Sequence, residues 1–161
     1  PQDQSVRDLV ARMKLIPIKS MVQGQRILFC EDSIVRGTQL RDIVQRLYDY
    51  GAKEVHMRPA CPPLLYGCRY LNFSRSRTLL DLAGRRAIKE LEGADDVHLK
   101  EYADPASERY GAMVDSIRRR LKLTTLKYQT LPDLVGAVGL PKCKLCTYCW
   151  DGCTGPCAAK A

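Results

Sequence analysis

Four consecutive apolar residues, Ile27, Leu28, Phe29 and Cys30, stop at two adjacent carboxylates, Glu31 and Asp32. Such a run reads as a buried parallel strand. Leu40, Ile43, Val44 and Leu47 then recur at steps of three, one and three, and predict one face of a helix over residues 39–50, with Gly51 as its C-terminal cap. Residues 54–58 predict a second short strand. Strand, helix and strand in that order make a βαβ unit, so the fold class is α/β, a parallel sheet with helices on its faces.

The pattern changes on either side of this unit. Val6, Leu9, Val10 and Met13 stand at helical spacing before the breakers Pro17 and Gly24. Pro62 and Pro63 end any strand, because neither can donate to a ladder, and residues 64–77 read as loop. Leu79, Leu80, Leu82, Ala83, Ala87, Ile88 and Leu91 predict a helix over 78–91, and a further helix is predicted over 107–121, weakened by Gly111. Beyond Pro132 the chain is rich in Gly, Pro and Cys with little periodicity. The chain divides by pattern into a core segment (1–66), a helical extension (67–131) and a cysteine-rich tail (132–161).

Composition narrows the class. A chain of 161 residues, 45% apolar and 27% charged, suits one hydrophobic core. No apolar run is long enough to span a membrane, and no secretion signal is visible. The start at Pro1 suits a fragment or a processed product. The formal charge of +8 favours anionic partners. Nucleic acid is disfavoured, because no basic stripe interleaves with aromatics. The short runs Arg85-Arg86 and Arg118-Arg119-Arg120 read as solvated helix faces, and the isolated His56 and His98 as structural or surface residues.

Candidate chemistry begins where the first strand ends. After Glu31 and Asp32 comes a loop of small and basic residues, Ser33, Ile34, Val35, Arg36, Gly37 and Thr38, and then a helix. Consecutive backbone amides followed by a helix amino terminus make an anion site. Carboxylates at the carboxyl end of a parallel strand can accept hydrogen bonds from sugar hydroxyls, and this is where open α/β sheets bind ligands. The bland alternative is a solvated loop. The carboxylates could also shape the field around a hard Mg²⁺ ion on diphosphate oxygens.

The segment EDSIVRGT resembles the phosphoribosyl-diphosphate (PRPP) motif of type I phosphoribosyltransferases. Joined to Gly51-Ala52-Lys53-Glu54-Val55-His56, the Pro62-Pro63 pair, Ser5-Val6-Arg7 and Arg12-Met13-Lys14-Leu15, it is similar to the glutamine PRPP amidotransferase family of purine synthesis. The resemblance implies a partial type I phosphoribosyltransferase fold in which residues 33–38 hold the 5-phosphate, Glu31 and Asp32 face the ribose, and Arg12 and Lys14 lie near an anion. The implied reaction displaces diphosphate from the sugar C1 with glutamine-derived ammonia, helped by Mg²⁺, through positioning and charge stabilisation. Glu31 departs from the family's usual Asp, which moves its carboxylate by about 1.5 Å per added CH₂.

Eight cysteines stand at 30, 61, 68, 143, 146, 149, 153 and 157. Cys143, Cys146, Cys149 and Cys153 have the C-x₂-C-x₂-C-x₃-C spacing of bacterial ferredoxins, without the following proline. A Cys₄ zinc site is the competing reading. Cys30 and Cys61 read as buried small hydrophobes, and a tight cluster on an otherwise ordinary chain suits an intracellular, cytoplasmic protein. The family resemblance adds a [4Fe–4S] expectation, with Cys68, Cys143 and Cys146 as ligands and Cys149 or Cys153 as the fourth.

The family's glutaminase domain and upstream transferase segment have no counterpart in this sequence, and both are implied partners, beside PRPP, purine nucleotides as feedback inhibitors, and further copies of the chain. The rival function is a non-catalytic or regulatory iron–sulfur or zinc protein that retains the nucleotide-sugar fold.

Overall fold

The computed structural model describes residues 17–68, 70 and 79–153. The expected helical spacing at residues 6–13, the possible anion contacts Arg12 and Lys14, and Cys157 lie outside them.

A short helix, α1 (Lys19–Val22), leads into strand β1 (Arg26–Glu31), helix α2 (Thr38–Asp49) and strand β2 (Glu54–Pro59). The apolar positions of α2 bury Val44 and Leu47. Its end is set at Gly51, where φ is +89°, a left-handed backbone that glycine adopts without strain. A 3-10 turn (Leu79–Asp81) then precedes α3 (Ala83–Glu92), α4 (Leu99–Ala103) and α5 (Glu108–Arg120). Ser107 caps α5 by accepting from the Tyr110 amide at 3.0 Å. Strand β3 (Thr125–Leu126), α6 (Leu131–Val138), a 3-10 turn (Lys142–Lys144) and α7 (Tyr148–Asp151) complete the described chain.

The three strands form a parallel sheet in the order β1-β2-β3. In the register, Ile27 pairs with Val55 and Phe29 with Met57, whereas Leu28 pairs with His56 and Cys30 with Arg58. Paired residues share a face of a parallel sheet. One face is therefore apolar, and its Val55 and Met57 are fully buried beneath Val44, Leu47, Ala87, Ile88, Met113 and Ile117. Burying each large apolar side chain contributes about 1.5–3 kcal/mol.

The opposite face carries polar bonds. His56 pairs through Nε2 with Glu54 and through Nδ1 with Thr125, both at 2.9 Å, and Arg58 donates to Thr125 Oγ1 at 3.1 Å. On that face Leu28 is 60% exposed and Cys30 is exposed. The expectation of a fully buried first strand, with Cys30 inside, is thus corrected: among the described residues β1 is an edge strand, half-buried through Ile27 and Phe29 on one face and exposed on the other. Cys61 is buried.

The helix over 107–121 runs through Gly111 unbroken. The helix expected over 78–91 instead starts at Ala83, after the 3-10 turn. The tail has more regular structure than its composition suggests. Leu65 and Tyr66 donate their amides to the Cys149 carbonyl at 2.9 and 3.0 Å. Tyr66 stacks obliquely on Tyr148 with ring centres 5.5 Å apart, and the Arg85 guanidinium, buried where the sequence suggested a solvated helix face, lies over the Tyr66 ring 5.3 Å from its centroid. No described helix is long and apolar enough to cross a membrane.

Candidate anion-binding site at the end of the first strand

The turn from β1 into α2 encloses a cavity of about 370 Å³, lined by Glu31, residues 33–38, Gln39, Leu40 and Ile43. Each part of this turn is held from a different direction. Ile34 points into the core and is 4% exposed. The Val35 carbonyl accepts from the Ala83 amide at 2.8 Å. Gly37 has φ +75° and lies so close to Leu121 that an added Cβ would stand 2.9 Å from Cδ2. The Arg36 guanidinium lies 3.9 Å from the Asp81 carboxylate.

These contacts turn the loop into a concave wall at the amino terminus of the twelve-residue α2. The Arg41 amide is taken by the Gly37 carbonyl, while the first-turn amides of any helix have no intrahelical acceptor. Their partial positive charge, with the hydroxyls of Ser33 and Thr38 and the Arg36 cation, suits a phosphate-sized anion.

The two carboxylates diverge. Glu31 lines the cavity, whereas Asp32 turns its Oδ1 to the Ser33 amide at 2.6 Å. Asp32 also acts on Cys61, whose thiol is pushed up by burial, against a lowering contact from Trp150, and further up by Asp32. So the structure brings Glu31, Ser33, Ile34, Val35, Arg36, Gly37 and Thr38 to one cavity and sets Asp32 at its edge. Ala83, Asp81 and Leu121, which shape the loop, lie far away in sequence and carry no local signal.

Metal chemistry is not supported. Among the described residues no group of three or more His, Cys, Asp or Glu side chains could hold a metal ion. This overturns the expected [4Fe–4S] site at Cys68, Cys143, Cys146 and Cys149 or Cys153, the zinc alternative, and the Mg²⁺ association of Glu31 and Asp32. The physical reasons differ. Burial, then the neighbouring Cys68 and Cys146, push the Cys149 thiol up to about 12, away from the thiolate form that a metal binds. Cys143, Cys146 and Cys153 are exposed, and the amide that meets the Cys68 sulfur, at 3.4 Å, is that of Tyr70. At the acid pair the carboxylates point to different partners, short of the several oxygens a hard cation takes.

No family model matches the chain. It is 33% identical over 149 residues to the amidophosphoribosyltransferase of Mycobacterium tuberculosis strain H37Rv, which covers 92% of this chain and 24% of that protein. The amidophosphoribosyltransferase of Methanothermobacter thermautotrophicus is 32% identical over 150 residues, covering 92% and 26%. The solved glutamine PRPP amidotransferase of B. subtilis, in complex with ADP and GMP, superposes with a TM-score of 0.59 at 26% identity over 95% of this chain and 29% of that one. A solved allosteric regulatory enzyme of purine biosynthesis gives 0.63 at 28% identity, over 95% and 28%.

The chain is similar to one quarter of an amidophosphoribosyltransferase. It spans about a quarter of the length of the relatives it matches. With the parallel three-stranded sheet and helical C-terminal region, this similarity fits a partial type I phosphoribosyltransferase fold. The iron–sulfur subclass anticipated from the family resemblance is not supported by the arrangement of the described cysteines.

Proposed function

We propose that this chain is the PRPP-binding portion of an amidophosphoribosyltransferase. The observation that carries the reading is the cavity between Glu31 and the first turn of α2, walled by residues 33–38. The 5-phosphate sits against the loop amides and the α2 amino terminus, where charge and donors already converge. Glu31 accepts from a ribose hydroxyl, and Asp32, once released from the Ser33 amide, accepts from the neighbouring one. Arg36 and Thr38 close the phosphate side.

In the reaction, ammonia released from glutamine attacks the sugar C1 and diphosphate leaves. The residues of this chain contribute by orientation: fixing the phosphate and the hydroxyls presents C1 to the incoming ammonia in one geometry. No side chain of the cavity is assigned as a general base. The glutaminase domain and the transferase segment upstream are partners in that reaction, and purine nucleotides its regulators, in keeping with the names of the matched proteins.

Isothermal titration with PRPP tests the reading. Saturable binding is expected, weakened about tenfold to a hundredfold by Glu31→Gln, since a hydrogen bond to a charged group contributes about 1.5–3 kcal/mol. Release of diphosphate when ammonium is added would extend the reading to transfer. Binding unaffected by Glu31→Gln would contradict it.

A further inference from the structure

The anion loop carries its own competitor. Arg36, which lines the cavity, lies 3.9 Å from Asp81 in the 3-10 turn before α3, with side chains 47% and 38% exposed. That spacing is an ion pair without a hydrogen bond, so the guanidinium is tethered by charge while its donors remain able to reorient. The tether does not depend on the side chains alone. Two residues on, the Ala83 amide donates to the Val35 carbonyl at 2.8 Å, and Leu82 and Ala83 are buried. The turn and the loop are thereby held together next to the position of Arg36.

We propose that Asp81 is a positioning residue that parks Arg36 when the cavity is empty, and that an anionic ligand must draw the guanidinium away from it. The inference rests on the reading of the cavity as a phosphate site. Asp81 does not itself line the cavity, whose walls are Glu31, residues 33–40 and Ile43, and it meets that wall through Arg36. A phosphate carrying nearly two charges outcompetes one carboxylate for a bidentate guanidinium, and each binding event gives up the Arg36–Asp81 pair. Asp81 therefore lowers anion affinity by the worth of a partly exposed ion pair.

Titration calorimetry with ribose 5-phosphate on five proteins tests this: wild type, Asp81→Asn, Asp81→Glu, Arg36→Gln and the double variant Arg36→Gln/Asp81→Asn. Asp81→Asn is expected to bind about threefold more tightly than wild type, in the range of an exposed pair. In the Arg36→Gln background the same substitution is expected to change nothing, and Asp81→Glu is expected to restore wild-type affinity. Asp81→Asn binding as wild type or more weakly overturns the inference. So does tightening that persists without Arg36, which would mark a general field effect instead of a parked cation. These outcomes leave the phosphate reading standing, because the proteins still bind. Absence of binding to all five overturns both.

Discussion

Gly37 is the residue on which the site depends most narrowly. Its φ of +75° suits glycine, and the space a side chain would take is filled by Leu121. Gly37→Ala is expected to cost about 1–2 kcal/mol from the left-handed backbone alone, with further loss from the Leu121 contact. Urea unfolding should show a lower midpoint, and ribose 5-phosphate binding should weaken more than stability does. Asp151 gives a pH-dependent counterpart in the tail. Burial raises its pKa, but Lys142, the Cys153 amide and Thr147 outweigh that and hold it below the usual carboxylate range. A depressed folded value contributes stability above the unfolded pKa of about 3.9, lost as pH falls through the lower folded value. The fluorescence of Trp150, the one tryptophan of the chain, should therefore change below about pH 4, and Asp151→Asn should abolish that acid-dependent step.

At the scale of elements, periodicity was informative where one face meets the core. The spacing of Leu40, Ile43, Val44 and Leu47 located α2 to within a residue at each end, and Glu54 to Arg58 located β2 to within one residue at its end. Strand β3, two residues long, and α4, five residues long, are too short to show a period. They are formed by contact: β3 by pairing with His56 and Met57, and α4 by burial of Tyr102, whose hydroxyl donates to Glu92 at 2.8 Å. The apolar run of β1 gave the strand and its direction but overstated its burial, because composition does not reveal whether a second face is covered. The two faces predict different responses. Leu28→Thr on the open face should shift stability by no more than about 0.5 kcal/mol, whereas Met57→Ala on the core face should cost about 2–5 kcal/mol. Urea denaturation of both variants measures the contrast.

For the whole molecule, one core joins the βαβ unit to the helical extension, from Val22 through Leu126 and Tyr128. That union is what shapes the site, since Ala83 and Leu121 of the extension hold Val35 and Gly37 of the loop. The loop itself was legible as strand, acid pair, small residues and helix start. Its supports were not, because they are separated from it by tens of residues of unrelated pattern. Cysteine spacing misled for a related reason: C-x₂-C fixes distance along the chain, whereas the half-buried place of Cys149 beside Cys68 follows from how the tail packs on residues 65 and 66. The central claim is that phosphate binds at the β1–α2 turn, and ¹H–¹⁵N correlation spectra recorded during titration with ribose 5-phosphate test it most directly. Saturable shifts concentrated in the amides of residues 33–38 are expected. Shifts absent there, or centred instead on the hollow around Glu92, Glu101 and Arg109, would contradict it.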